Sequence, residues 1–460
     1  MPKVEVHAPR STLLGQLQRG RGAAWLALSR GPREQAWPLI VECVTNDPRL
    51  DSQVEDRADC YATLILATGL ELDPIWRYVR EFDNDDGGWN TPLAVGTLGK
   101  LAQRGHRHAT ELLVDYVGWG QWWDWILDDL PLQQVPGLAK QTAARIEARF
   151  SDDADMEKAL AWFDLTEKHW SSIAACSDRV ARFASSNERA RYPTECEWEP
   201  PPGHQSLPLA ELLSLADQSN YWKVKHFVRD RVQPGDLALL TESVRLDRPF
   251  VASAAFAGLT KLGSASSFPW LVEFIETNTD WPRILWKSLA ELAVAIPPYL
   301  TLPLAREWFR SLDDRRRSLA EDILADHATR EDVPMLRDAI LEGLEDDLEH
   351  LYRLCDILKA LHHCGAVGPI PELDLVFEEF RYSYGRKLCA RAMHATNPNE
   401  FAKRFAFECL WDCESETRII GAGSVPLTQN GAKERLHETA DAAFEAEDLR
   451  LAARNRLSSS

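Results

Sequence analysis

Nowhere does the 460-residue sequence approach the run of about 18 uninterrupted apolar residues that a membrane-crossing helix needs. Its start, MPKVEVHAPRSTLLGQL, lacks the basic stretch followed by an apolar core that marks a secretory signal. Nine cysteines are scattered between Cys43 and Cys413, an odd number with no CxxC pair. That usage suits reduced, buried thiols in a cytoplasm rather than a disulfide framework. Basic residues are in deficit, 52 Lys and Arg against 71 Asp and Glu, for a formal charge of -19. Such a surface repels phosphate backbones, whose binding rests on counterions released by cationic side chains. It is equally unsuited to anionic bilayers. GxSxG, GxxxxGK[ST], GxGxxG and HExxH are all absent, so no catalytic residue and no cofactor is expected.

Apolar residues make up 45% and charged residues 27%, the balance of a folded chain, and seventeen tryptophans with sixteen phenylalanines can fill a large core. A chain this long holds about three ordinary domains or one elongated repeat array. Internal spacing favours the array. Asp247, Asp280, Asp313 and Asp346 are each 33 positions apart, and the same step continues onto Glu379, Asp412 and Glu445. Pro234, Pro269, Pro303, Pro334 and Pro371 keep a looser beat of 31 to 37.

Each proline is expected to open a helix, as in PWLVEFIETN, PLAREWFRSL or PELDLVFEEF, because its missing N–H costs nothing at the first helical position. A second helical pattern follows each acidic turn, such as RPFVASAAFAGLTKLG or RRRSLAEDILADH, and the acid can cap it. A unit of helix, turn, helix and turn buries its apolar stripe only by stacking on a neighbour. The fold class is therefore all-α, an α-solenoid of stacked antiparallel helix pairs.

Signatures of tetratricopeptide and ankyrin repeats are missing. The small-apolar helices AAFAGLTKLG and SLAELAVAI, with the five proline-opened segments, resemble the short HEAT-like repeats of bacterial proteins over about Leu207–Leu457. The resemblance implies a protein-binding scaffold and names no ligand. On the same analogy the proline-opened helices line a concave face, which places Glu273, Glu276, Arg306, Arg310, Arg337 and Asp338 on a binding surface.

Upstream, Pro38 and Pro74 open PLIVECV and PIWRYVREF. Asp51–Leu70 reads as a helix capped by Asp51, with Val54, Ala58, Tyr61 and Leu64 on one face. Two more helices are expected over 135–150 and 155–174. Residues 185–207, with four prolines, several acids and Trp198, read as a connecting loop. The expected organisation is an N-terminal helical segment 1–184, this loop, and a C-terminal repeat segment 208–460.

GWGQWWDWILDDL, from Gly118 to Leu130, carries four tryptophans and three aspartates. Read as a helix, Trp119, Trp122, Trp123, Ile126, Leu127 and Leu130 form one apolar stripe. Trp125 is left over beside Asp124 and Asp128, and an exposed tryptophan is a common partner anchor. Alkylpurine DNA glycosylases built on HEAT-like repeats set aromatic residues and an acid against damaged DNA, which makes a nucleic-acid enzyme of that type the alternative reading.

Cys355, His362, His363 and Cys364 lie within ten residues, but LYRLCDILKALHH puts Cys355 on a helical core stripe and the histidines at the helix end, so no metal is expected. The basic run Arg315–Arg317 is balanced by Asp313, Asp314, Glu321 and Asp322. The leading expectation is a cytoplasmic, non-enzymatic scaffold whose partner is another protein, with no membrane and no nucleic acid.

Overall fold

A computed structural model describes residues 7–83, 91–160, 168–185, 206–278, 281–344 and 348–459. The chain is all-α, its helices packed on their sequence neighbours in solenoid order, with no strand among the described residues. It divides into two compact units. The first joins the described residues up to 185 to those from Pro369 onward, and the second takes those from 206 to Gly368.

The N-terminal part of the first unit holds α1 (Leu13–Gln18), α2 (Gly22–Arg30), α3 (Arg33–Thr45), α4 (Ala58–Thr68), α5 (Asp73–Phe82), α6 (Pro92–Gln103), α7 (Arg107–Val117), α8 (Leu138–Arg149), α9 (Asp153–Leu160), α10 (Lys168–Ala174) and α11 (Asp178–Ser185). The second unit holds α12 (Leu209–Ser214), α13 (Tyr221–Arg231), α14 (Leu237–Ser243), α15 (Pro249–Leu262), α16 (Phe268–Thr277), α17 (Arg283–Ala295), α18 (Pro298–Trp308), α19 (Asp314–His327), α20 (Val333–Ile340) and α21 (Leu348–His363). The chain then returns to the first unit with α22 (Pro371–Glu379), α23 (Ser383–Thr396), α24 (Pro398–Arg404), α25 (Ala406–Cys409), α26 (Ser415–Ser424), α27 (Ala432–Asp441) and α28 (Glu447–Ser458).

Within the second unit α13, α15, α17, α19 and α21 pack one on the next, while α14, α18 and α20 lie against them as an outer layer. The stacked helices are the alanine- and leucine-rich segments of the repeat. α15 starts on Pro249 and ends on Gly263 in the left-handed region, and residues from Val251 to Leu259 are all buried. A helix apolar all round belongs inside, between two neighbours.

The proline rule holds in part. Pro269 and Pro334 fall in the first turns of α16 and α20, and Pro371 opens α22. Pro234 opens a single 3₁₀ turn ahead of α14. Pro303, however, lies inside α18, which Pro298 opens, and Pro38 lies inside α3. Among the acidic turns, Asp313 caps α19 by accepting from Arg315 N at 3.0 Å. Asp247 instead pairs with Arg245, and Asp280 and Asp346 are outside the described residues.

The grouping differs from the division in sequence order, because the last three acids of the beat, Glu379, Asp412 and Glu445, belong to the unit that holds the N terminus. Two further expectations change. The helix read over Asp51–Leu70 begins only at Ala58, and Val54 is exposed. Glu55 and Arg57 are drawn instead into contacts with the C-terminal segment, Glu55 accepting from Ser383 N and Arg57 donating to the Cys413 sulfur. Gly118–Leu130 is not a helix but a run of turns with one 3₁₀ turn at Trp125–Leu127. Its amides are taken by side chains: Gln121 N donates to buried Asp83 at 2.7 Å and Trp122 N to the Tyr116 hydroxyl at 3.1 Å. The packing reading survives the change of backbone, since Trp123, Ile126, Leu127 and Leu130 are buried. The 185–207 loop with Trp198 lies almost wholly outside the described residues.

Candidate functional site

Trp125 is 56% exposed, and its ring lies 4.5 Å from that of half-buried Trp122 at a tilt of 39°. Asp128 is exposed and receives His169 Nδ1 at 2.8 Å, while half-buried Asp124 lies in the field of Arg149. Asp129 is turned inward onto Lys100 and Gln103, and burial pushes its carboxyl up. The guanidinium of Arg149 lies against Trp123 and Phe150 rather than beside Trp125. The exposed ring thus rests on Trp122 and is flanked in sequence by Asp124 and by Asp128, which is paired with His169. Trp125→Ala is expected to cost about 1 kcal/mol or less, because a half-exposed ring forfeits little burial. Denaturant titration checks this, and a loss of about 3 kcal/mol would mark the ring as core.

The six residues expected on a binding surface all fall in the second unit, on α16, α18 and α20 or just past α18, yet they separate into two groups. Arg306 on α18 is a structural clip. Its Nε reaches Asp332 at 2.6 Å and its Nη2 reaches Thr329 and Glu331, each at 3.2 Å, which ties α18 to the turn that opens α20. Arg337 is half-buried. Glu273 and Glu276 on α16, Arg310 just past α18, and Asp338 on α20 are exposed. Among the described residues none of these four side chains forms an ion pair or a hydrogen bond.

Arg310 and Asp338 are brought together on one cleft of about 250 Å³, which Phe309, Leu312, Met335 and Arg353 also line. Leu312 is 98% exposed, the most exposed of the large apolar side chains among the described residues. Around the cleft the other charges are committed: Arg315 to Asp313, Arg317 to Asp314, and Arg353 to buried Glu321. Arg315–Arg317 thus behave as the balanced run that the sequence indicated. The site has an unpaired cation, an unpaired anion and an apolar residue standing in solvent.

A third constellation escaped the reading of the sequence. In the first unit, α2 and the turn before α4 meet the turns before α23 and α26 through buried charge. Arg386 grips Asp412 with two parallel hydrogen bonds of 3.0 Å, both side chains being fully buried. Arg386 Nη2 also donates to Gly20 O at 3.2 Å, and its Nη1 to Arg19 O. Arg57 donates to Arg19 O at 2.7 Å, to the Cys413 sulfur at 2.7 Å and to Glu55 at 3.0 Å. Arg418 pairs with Glu445 at 3.1 Å and lies 3.7 Å from Asp59. Cys413 N donates to Gly20 O at 3.0 Å, and Trp25 stacks on Trp411 beneath the guanidinium of Arg435.

Buried ion pairs of this kind hold register more than they add stability. A signal was present in the sequence: Arg306 and Asp332, Arg386 and Asp412, and Arg418 and Glu445 repeat an arginine–acid spacing of 26 or 27.

Among the described residues eight cysteines are free, seven of them buried; burial pushes the Cys43 and Cys60 thiols up to about 12, which leaves them protonated and inert. Cys355 is buried on α21, and among the described residues no group of three or more His, Cys, Asp or Glu side chains is placed to hold a metal ion. Among the same residues no helix is long and apolar enough to cross a membrane. No protein-family model matches the chain, and no curated protein matches it.

Proposed function

We propose that the protein is a non-enzymatic, cytoplasmic scaffold that binds another protein through the outer helix layer of its second unit, the layer that lines the concave face in HEAT-like arrays. The observation that carries the reading is the cleft between α18 and α20. Nearly every arginine around it is spent on a neighbour, whereas Arg310 and Asp338 stay unpaired beside a fully exposed Leu312. Unpaired charges of both signs favour orientation and rate of encounter, and a central apolar anchor supplies the holding energy. Glu273 and Glu276 extend the charged surface along α16.

The test is affinity capture of the tagged protein from its own lysate at low salt, after nuclease treatment, beside the Arg310→Glu/Leu312→Asp variant and Trp125→Ala. The expected result is a stoichiometric protein partner that the wild type and Trp125→Ala retain. The double variant should lose it by about tenfold or more, the loss expected when one hot-spot residue goes. All three altered side chains are exposed, so folding should be unaffected. A partner held equally by the double variant would move the site elsewhere, and recovery of nuclease-sensitive nucleic acid alone would overturn the scaffold reading.

A further inference from the structure

The contact between the two ends of the chain contains a group whose protonation follows from counting hydrogens. Ser383, the first residue of α23, holds its hydroxyl between Glu55 Oε2, at 2.9 Å, and Glu414 Oε1. A hydroxyl carries one hydrogen, so it donates to one carboxyl group and must accept from the other. Glu55 is the acceptor. Its Oε2 also takes Ser383 N at 2.9 Å and Arg57 Nη2 at 3.0 Å, and its Oε1 takes Leu50 N at 2.6 Å and Asp51 N at 3.1 Å. Among the described residues the Glu414 carboxyl has only Ser383 and, at 3.9 Å, the Cys413 thiol as hydrogen-bond partners. The hydrogen between Glu414 and Ser383 therefore belongs to Glu414.

We propose that a proton resident on Glu414, relayed through Ser383 to Glu55, closes the contact between the N-terminal and C-terminal segments, and that raising the pH opens it. The surroundings support a neutral Glu414. Facing it are Glu55 and Arg57 from the turn before α4, Ser383 and Arg386 from α23, and Asp412 and Cys413 from the turn before α26. Two guanidiniums meet two carboxylates there, so charge balances when Glu414 and Cys413 both keep their protons. Glu414 is 6% exposed, and burial pushes its carboxyl up while also pushing the Cys413 thiol up.

A buried ionised glutamate in this place would be a third negative charge against two positive ones, with Ser383 unable to satisfy both acids. A carboxyl whose pKa is higher folded than unfolded stabilises fully below its unfolded value. That contribution disappears as the pH climbs through the folded value, the reverse of a salt-bridged Asp or Glu.

The test compares full-length wild type with Glu414→Gln, whose amide can donate to Ser383 and cannot ionise. Amide hydrogen exchange is read in peptides spanning α23 and the turn before α26, each pair of measurements made at one pH so that intrinsic rates cancel. The ratio of wild-type to variant exchange should stay near one under mildly acidic conditions. It should climb by about tenfold per pH unit between the pKa that Glu414 has in the opened state and its higher folded-state pKa, and level off above the latter. The infrared spectrum of the wild type should show a protonated-carboxyl C=O band that Glu414→Gln lacks. Glu414→Met, which gives up the hydrogen bond but also cannot ionise, is read in the same way if the glutamine variant does not fold. A ratio that stays flat with pH, or a wild-type-minus-variant difference spectrum without that band, overturns the proposal.

Discussion

Arg386→Ala is expected to destabilise the first unit by about 3–5 kcal/mol, the loss seen when one partner of a buried ion pair is removed and the other is left uncompensated. Asp412 is fully buried and has its two oxygens filled by the Arg386 guanidinium, one of them sharing Glu414 N at 3.0 Å. Without the guanidinium that carboxylate keeps a single backbone donor. The same deletion removes one of two donors from each of the carbonyls of Arg19 and Gly20, leaving Arg57 on the first and Cys413 N on the second to hold the N-terminal segment.

Arg386→Met separates the charge from the volume. It fills most of the space yet still strands Asp412, so it should remain within about 1 kcal/mol of the alanine variant if desolvated charge dominates, whereas recovery of about 2 kcal/mol or more would assign the loss to vacated volume. Replacing both partners, Arg386→Met with Asp412→Leu, should recover part of the loss, as uncharged substitutes for buried pairs often do. Recovery should stay incomplete because Glu414 N loses its acceptor and each of the two carbonyls keeps one donor in place of two. Hydrogen exchange of core amides in α23 and α26 measures the change, and an Arg386→Ala protein within about 0.5 kcal/mol of wild type would show that the pair is not desolvated.

The network that these variants probe is also where the sequence was least legible, and the reason is physical. Periodicity reports local facts: a helix repeats at 3.6 residues and a repeat protein at the length of its unit, so the stacked helices α15, α17, α19 and α21 could be read from the 33-residue beat and their apolar stripes. The acids of that beat invited a local explanation as caps, which Asp313 satisfies. Asp412 and Glu445 follow the same spacing but receive an arginine from the preceding unit, at 26 or 27 residues. That partner becomes visible only when arginines are counted along with acids. No spacing could reveal that Gly20, Arg57 and Cys413 meet, because the separation of 356 residues between Arg57 and Cys413 carries no period at all.

The tryptophan-rich stretch shows a second kind of limit. Burial of Trp123, Ile126, Leu127 and Leu130 was readable from their spacing, while the backbone was not, since buried Asp83 and the Tyr116 hydroxyl take amides that a helix would have used internally. Of the residues expected on a binding surface, Arg310 and Asp338 share a cleft because outer helices of adjacent repeats must lie side by side. Arg306 could not be told from them by composition, for an exposed arginine and a clip to Asp332 look alike until the partner is seen.

Gly20→Ala should match the arginine deletion in size while adding a methyl group instead of removing a charge. Gly20 has φ +69°, a backbone conformation that costs an alanine about 1 kcal/mol or more. Its Cβ would also stand within the contact radius of Arg57 Nη1 and the Cys413 sulfur. Neither neighbour can retreat cheaply. Arg57 is fully buried and tied to Arg19 O and Glu55, and Cys413 is anchored by its own N–H to Gly20 O.

The methyl group must therefore push the turn at Gly20 off the turn before α26, and the total should reach about 4 kcal/mol from strain plus a disrupted buried pair. Because Gly20→Ala and Arg386→Ala break one junction by two routes, their combination should fall short of the sum of the single effects, with an interaction energy of about 1–3 kcal/mol. Two mutations acting on separate parts of the unit would instead add within about 0.5 kcal/mol, and that result would mean that Gly20, Arg57, Arg386 and Cys413 do not act as one cooperative contact.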